Sequence, residues 1–215
     1  MAQTSFDHSD VPIRLFKSKA LEFFTHVHPA VVVIIWLPVA IFFLAQAVAD
    51  RQSGMGIAYI PVGFLLGLLV WTLVEYSLHR FVFHLPVRSP RLRRLLYLFH
   101  GIHHEQPQCK TRLVMPPVVS IPLALLFYGL FHLLVDDLLT LPQWLDPLFS
   151  GFIVGYLGYD LIHYAVHHFR TNRCFLKPLR RHHMLHHFKT PDQRFGVSSP
   201  LWDIVFGTKP ADTTP

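Results

Sequence analysis

Twelve of the sixteen histidines in this 215-residue chain fall in four short stretches. The densest runs from His182 to His187. Read as a helix, His183, His186 and His187 stand at i, i+3 and i+4, on one face. The same spacing recurs at His100, His103 and His104. Two wider pairs complete the pattern, His79 with His84 and His163 with His167. Clustered imidazoles are a ready metal ligand set, suited to Fe, Zn, Cu and Ni. The clusters are internal and separated, so they are not a purification tag.

Ten histidines are candidate ligands: His79, His84, His100, His103, His104, His163, His167, His183, His186 and His187. Four- or five-coordinate sites would use about that many for two metal ions. His168 and His182 adjoin ligand candidates but point away if the helices are regular, which makes them supporting or solvated residues. Glu75 precedes His79 by one helical turn, and Asp160 precedes His163 by three residues. A ligating imidazole usually donates its other N–H to a carboxylate or carbonyl, so both carboxylates are candidate supports. His8, His26, His28 and His132 lie outside the pattern.

The elements that position these residues are apolar. Hydrophobic residues make up 52% of the chain and charged residues 15%, with a mean hydropathy of +0.37. This composition points to an all-α, multi-pass membrane protein and away from a nucleic-acid binder. Four spans are expected, over about residues 29–49, 57–78, 114–135 and 147–162. They form one integral-membrane domain over 29–215. Residues 1–28 form an N-terminal segment. Within it Phe16, Ala20, Phe23, Phe24 and Val27 share a helical face, which predicts either a helix lying on the membrane surface or an ordinary packing helix. No secretory signal and no useful internal repeat are present.

With four crossings, eighteen of the nineteen Lys and Arg fall on one side, together with both termini and every histidine cluster. Only Arg51 lies opposite, beside Asp50, Asp136, Asp137 and Asp146. The positive-inside rule makes the histidine side cytoplasmic, a helical cap on the inner membrane of a bacterium or the endoplasmic reticulum of a eukaryote. Two re-entrant hairpins would give the same sidedness. Cys109 and Cys174 are then expected as free thiols.

The donor set is almost all nitrogen, which leaves iron or zinc open. Hydrolytic zinc sites need fewer ligands. Bis-histidine haem would use residues within the spans, and a metal transporter should carry polar residues at mid-span. Redox-active non-haem iron against the bilayer fits better, with a lipid chain entering sideways as substrate.

The residues also resemble a known family. The stretches are Glu75-Tyr76-x-x-His79-Arg80-Phe81-Val82-Phe83-His84 and His100-Gly101-Ile102-His103-His104, then Arg112-Leu113-Val114-Met115-Pro116-Pro117 and Tyr159-Asp160-x-x-His163-Tyr164-x-x-His167. Last come His183-x-x-His186-His187 and Phe195-Gly196-Val197-Ser198-Ser199-x-x-Trp202-Asp203. In this order they resemble the membrane fatty acid hydroxylase/sterol desaturase superfamily, and within it the fatty acid (sphingolipid) 2-hydroxylase branch. The resemblance implies a dinuclear metal site and hydroxylation of an acyl chain at carbon 2 with O2 and two electrons. It implies two metal ions, with iron expected and zinc possible in purified protein, and a fatty acid, ceramide or related lipid as substrate.

Eukaryotic relatives often carry an N-terminal cytochrome-b5-type domain. Only about 28 residues precede the first span here, so electrons are expected from a separate cytochrome-b5-like or ferredoxin-type donor, for which Arg88, Arg91, Arg93 and Arg94 would suit an acidic surface. The framework is shared with desaturases and with hydroxylases of sterols and carotenoids. A non-catalytic metal- or lipid-binding membrane protein is the reading from another class.

Overall fold

A computed structural model describes residues 10–50, 57–169 and 176–210. All regular structure among the described residues is helical. The chain divides into two compact units. The first comprises residues 1–27, 72–114 and 159–215, and the second residues 28–71 and 115–158.

The second unit is the apolar one. Helix α2, Pro29–Ala49, begins at a His28 cap whose ring accepts from the Ala30 N–H at 3.2 Å, with Pro29 in the first turn, where its missing N–H costs nothing. Helix α3, Tyr59–Ser77, runs on through a π-helical segment, Leu78–Phe83. Helix α6, Pro117–Phe131, likewise runs on through a π segment, His132–Leu138. Pro29–Ala49, Tyr59–Phe83 and Pro117–Leu138 are long and apolar enough to cross a membrane. Their apolar residues point outward as well as inward (Ile34, Ile41, Leu65 and Leu125 are exposed), as expected where the outer solvent is lipid.

The sequence led us to expect a fourth span over 147–162. The corresponding helix α7, Leu145–His168, is long enough but is not among the three that satisfy both criteria. Asp146 and Asp160 dilute its apolarity. Phe149, Phe152, Ile153, Tyr156, Leu157 and Val166 are all buried, so α7 faces protein along much of its length. Two glycines let α3 and α7 cross at backbone contact. A Cβ at Gly67 would sit 2.0 Å from the Leu148 carbonyl, and one at Gly151 would sit 2.0 Å from the Phe64 carbonyl. Trp36 Nε1 donates to Ser120 Oγ at 3.2 Å and Ser150 Oγ donates to the Ala40 carbonyl at 2.8 Å, satisfying polar groups in an otherwise apolar interior.

The first unit holds all ten candidate ligands. Its remaining helices are short: α1 (Lys19–Phe23), α4 (Pro90–Leu96), α5 (Ile102–Glu105), α8 (Leu176–Phe188) and α9 (Leu201–Val205). The helix expected to carry Phe16, Ala20, Phe23, Phe24 and Val27 on one face reduces to the five residues of α1. The preceding backbone is satisfied elsewhere. The Leu15 and Phe16 N–H groups donate to Glu22, the Ile13 N–H donates to Gln106 Oε1 at 2.9 Å, and Gln106 Nε2 donates to the Val11 carbonyl. Arg112 closes this strap by donating to the Ile13 carbonyl and pairing with Glu22. His26 belongs to the same cluster, with Nδ1 2.8 Å from Thr111 Oγ1. His132 lies far along the chain beside Asp136 and Asp137. His8 and Cys174 fall outside the described residues, and Cys109 is a buried free thiol.

Candidate metal centre

The ten histidines form two groups of five. His79, His84, His100, His104 and His186 make one, and His103, His163, His167, His183 and His187 the other. In each group one ring nitrogen from every residue lies within 4.8 Å of all the rest. The second group is wholly buried. In the first, His84 and His104 are half-buried.

Local helix geometry explains the partition. In α5 and the π segment before it, Tyr97–Gly101, His100 and His104 are one turn apart and serve the first group, while His103 projects to the second. In α8, His183 and His187 serve the second group and His186 the first. Each His-x-x-His-His element therefore feeds both groups rather than presenting one three-residue face. His79 and His84 are five residues apart, which misaligns them on a regular α-helix. The π segment corrects this, because its i→i+5 pattern, seen as His84 N–H to the His79 carbonyl at 3.1 Å, overlays positions five apart.

The donors suit metal ions. Neutral imidazole has one N–H and one lone pair. His79 Nδ1 faces the Phe195 carbonyl and His186 Nδ1 faces the Gln193 carbonyl at 2.7 Å. A carbonyl only accepts, so both Nδ1 atoms carry the proton and both Nε2 atoms present lone pairs. In the second group Nε2 faces Nε2 along a chain, His163–His103–His187–His183–His167, at 2.9, 3.0, 3.0 and 2.9 Å. Each nitrogen can join one hydrogen bond as donor or acceptor, and five nitrogens make two pairs with one left over. At most two of the four contacts can therefore be hydrogen bonds. A shared cation removes the conflict: two nitrogens each about 2.1 Å from one ion and at right angles to each other stand about 3.0 Å apart.

The electrostatics agree. Burial holds His84 down to about 4. Burial, and then the neighbouring His84, holds His186 down to about 3. Burial followed by the surrounding imidazoles puts His100, His103, His104, His183 and His187 well below the usual histidine range. Neutral rings have no proton to lose before a metal binds.

The four candidate supports take distinct positions. His182 is buried, with Nε2 3.0 Å from Asp203 Oδ2. Among the described residues, the hydrogen-bond partners of Glu75 are backbone and hydroxyl donors of the 197–198 turn. Glu75 accepts the Val197 and Ser198 N–H groups at 2.6 and 2.8 Å and the Ser198 hydroxyl. Asp160 is fully buried one turn before His163. His168 joins neither group and packs on Tyr164 with ring centroids 4.4 Å apart.

Sequence reasoning used the stretch from Phe195 to Asp203 only for the family resemblance and missed that this loop aims His79 and His186. Arg194 adopts φ +62° between Gln193 and Phe195, the two residues whose carbonyls these rings meet. Asp203 fixes that turn by accepting the Phe195 and Gly196 N–H groups at 2.8 and 2.7 Å and the Thr208 hydroxyl at 2.7 Å. Burial raises the Asp203 carboxyl, but the bonds from His182, Thr208, Gly196 and Phe195 outweigh it and hold the group below the usual range. The acidic residue Asp203 and the φ-permissive loop were visible as letters. Their partners are backbone atoms, which no spacing rule reports.

The fatty acid hydroxylase family model matches residues 64–208. Dihydroceramide fatty acyl 2-hydroxylase FAH1 of Arabidopsis thaliana is 38% identical over 202 residues, covering 94% of this chain and 82% of its own length. Fatty acid 2-hydroxylase of Rattus norvegicus is 34% identical over 215 residues, covering 92% of this chain and 56% of its own. A solved structure described as full-length scs7p, with only the hydroxylase domain visible, superposes with a TM-score of 0.82 at 37% identity, covering 94% of this chain and 73% of that one. The match spans both His-x-x-His-His elements, both wider pairs and the loop that supports them, and the chain belongs to the fatty acid hydroxylase family.

Proposed function

We propose that this protein is a membrane-bound 2-hydroxylase of lipid acyl chains, acting on a fatty acid, ceramide or related lipid. The carrying observation is the pair of all-imidazole groups in a chain of this family. The proposed ligands are His79, His84, His100, His104 and His186 for one ion, and His103, His163, His167, His183 and His187 for the other. The chemistry calls for a metal that changes oxidation state, so iron is the native ion of this reading and zinc, which has no redox chemistry, a substitute. Bound there, the metal pair would supply O2 activation, with two electrons from a separate donor protein.

The chain's own residues provide the setting. His79 and His186 keep their Nε2 lone pairs inward because Phe195 and Gln193 hold their Nδ1 protons. Asp203, His182 and Glu75 fix the loop that carries those carbonyls. Asp160, buried one turn before His163, is a candidate support for that ligand. Burial of the second group excludes water, which limits competing reactions of the oxidant. In this reading residues 29–215 form one integral-membrane domain with α7 as a fourth crossing. Both termini and the histidines belong to the cytoplasmic side, and residues 10–28 lie at that face.

Lipid mass spectrometry on a host expressing the chain, beside a His183→Ala control, tests the reading. Acyl chains heavier by one oxygen, placed at carbon 2 by fragmentation and absent in the control, are the expected result. Loss of two hydrogens instead would make the protein a desaturase. An unchanged lipid profile in a host supplied with a reductase and donor would remove the enzymatic reading.

A further inference from the structure

We propose that the segment from Arg88 to Phe99 is a docking surface for anionic phospholipid headgroups, holding the first histidine group against the bilayer. The inference does not depend on the reaction catalysed, only on the chain being embedded in a membrane.

Helix α4 begins at Pro90, seven residues after Phe83, the last residue of a span long and apolar enough to cross a membrane. Seven residues reach at most about 25 Å, so α4 starts near that end of the span. His100 follows it directly and belongs to the first group.

Composition and exposure supply the rest. From Arg80 to His104 there are five arginines and no acidic residue. Arg88, Arg91, Arg93 and Arg94 are all exposed. Leu92, Leu95 and Phe99, at i, i+3 and i+7, are exposed by 38, 46 and 44%. The neighbouring edge is inside: Leu96, four residues after Leu92, and His100 in the π segment that follows are buried. A helix that buries one edge, exposes an apolar stripe and flanks the stripe with Arg91 and Arg94 has the pattern of an interfacial helix. The cations match phosphate geometry bidentately, and guanidinium is the side chain best suited to that contact. An acidic soluble partner would account for the arginines but leaves three large apolar side chains without a reason to be outside. A bilayer accounts for both. No acidic side chain lies within this segment to compete for the arginines, and Arg93 Nη2 donates to the Val87 carbonyl at 3.4 Å.

The test is hydrogen–deuterium exchange over residues 88–99 in the full-length, metal-loaded protein. It is reconstituted in nanodiscs of phosphatidylcholine alone or with about one-third phosphatidylglycerol, a composition chosen to give a strongly anionic surface. The expected result is slower exchange in the anionic discs, by about fivefold for each arginine engaged. Arg91→Gln with Arg94→Gln abolishes the difference while metal content stays unchanged. Leu92→Ser with Leu95→Ser weakens protection in both discs. Equal exchange of the wild-type protein in the two discs overturns the proposal. Protection that appears only when an acidic electron carrier is added, whatever the lipid, also overturns it and gives the surface to the carrier.

Discussion

His103 and His104 are neighbours in sequence yet belong to different groups, so their substitution separates two models of the site. If the histidines formed one shared pool, either alanine variant would weaken all metal alike. With two groups, His103→Ala and His104→Ala should each reduce bound metal from about two ions per chain to about one, and the double variant should reach background. Metal analysis by inductively coupled plasma mass spectrometry on purified protein reads this directly. One ion retained by the double variant would defeat the two-group assignment. Asp203 offers a second residue-level prediction. Its two oxygens take four bonds, and Asp203→Asn replaces one acceptor by an NH2 that faces donors. The expected cost is about 2 kcal/mol of stability. The expected functional signature is loss of metal from the His79/His186 group ahead of the other. Thermal unfolding and metal analysis on Asp203→Asn check both.

At the scale of elements, what was legible in the sequence depended on whether backbone geometry stayed regular. The span over 29–49 reads true as Pro29–Ala49 because apolarity and a Pro29 start set both its ends. Ligand types were legible because imidazole chemistry is local to the residue. Their partition was not: the turns bearing His79 and His100 are π-helical, and even on the regular α8 one helix face meets both groups, so His186 parts from His183 and His187. The N-terminal segment misled for a related reason. Phe16, Ala20 and Phe23 share a helical face on paper, but Gln106, Arg112 and Glu22 capture the backbone before a helix can extend upstream of Lys19. Helix packing yields a prediction with an internal control. A Cβ at Gly67 would meet the Leu148 carbonyl at 2.0 Å and the Phe152 nitrogen at 2.7 Å, both backbone atoms that cannot rotate away. Gly67→Ala should therefore destabilise by about 1–3 kcal/mol. Gly129→Ala, with nothing within 4 Å of the new atom, should be neutral or stabilise by about 0.5–1 kcal/mol through helix propensity alone. Differential scanning fluorimetry of both variants in the same lipid decides it. Equal effects would mean that α3 and α7 are not held at backbone contact.

For the whole molecule, collecting ten imidazoles in one unit makes stability depend on pH and metal together. Burial holds His84 at about 4 and His186 at about 3, with His100, His103, His104, His183 and His187 also well below the unfolded value near 6.5. Below pH 6.5 the unfolded chain takes up protons that the folded chain refuses. The histidine contribution is thus fully present above that pH and is lost as pH falls towards the folded values. Each such proton adds a slope of about 1.4 kcal/mol per pH unit. Asp203 acts in the same direction at lower pH, since its carboxyl is held down in the fold and protonates there only after the unfolded group has done so. Stability of the metal-stripped protein should be flat from pH 8 to about 7 and fall steeply between about 6.5 and 4. Loaded protein should start higher at pH 7.5, because ions that bind only the folded state stabilise it by mass action. It should then fall more steeply with acid, because bound imidazoles resist protonation further and release their ions when they yield. Unfolding temperatures of loaded and stripped protein across this range, with released metal followed in the same samples, test the coupling. Parallel curves for the two forms, separated by a constant offset down to pH 4, would mean that the histidine groups and the bound metal are energetically independent.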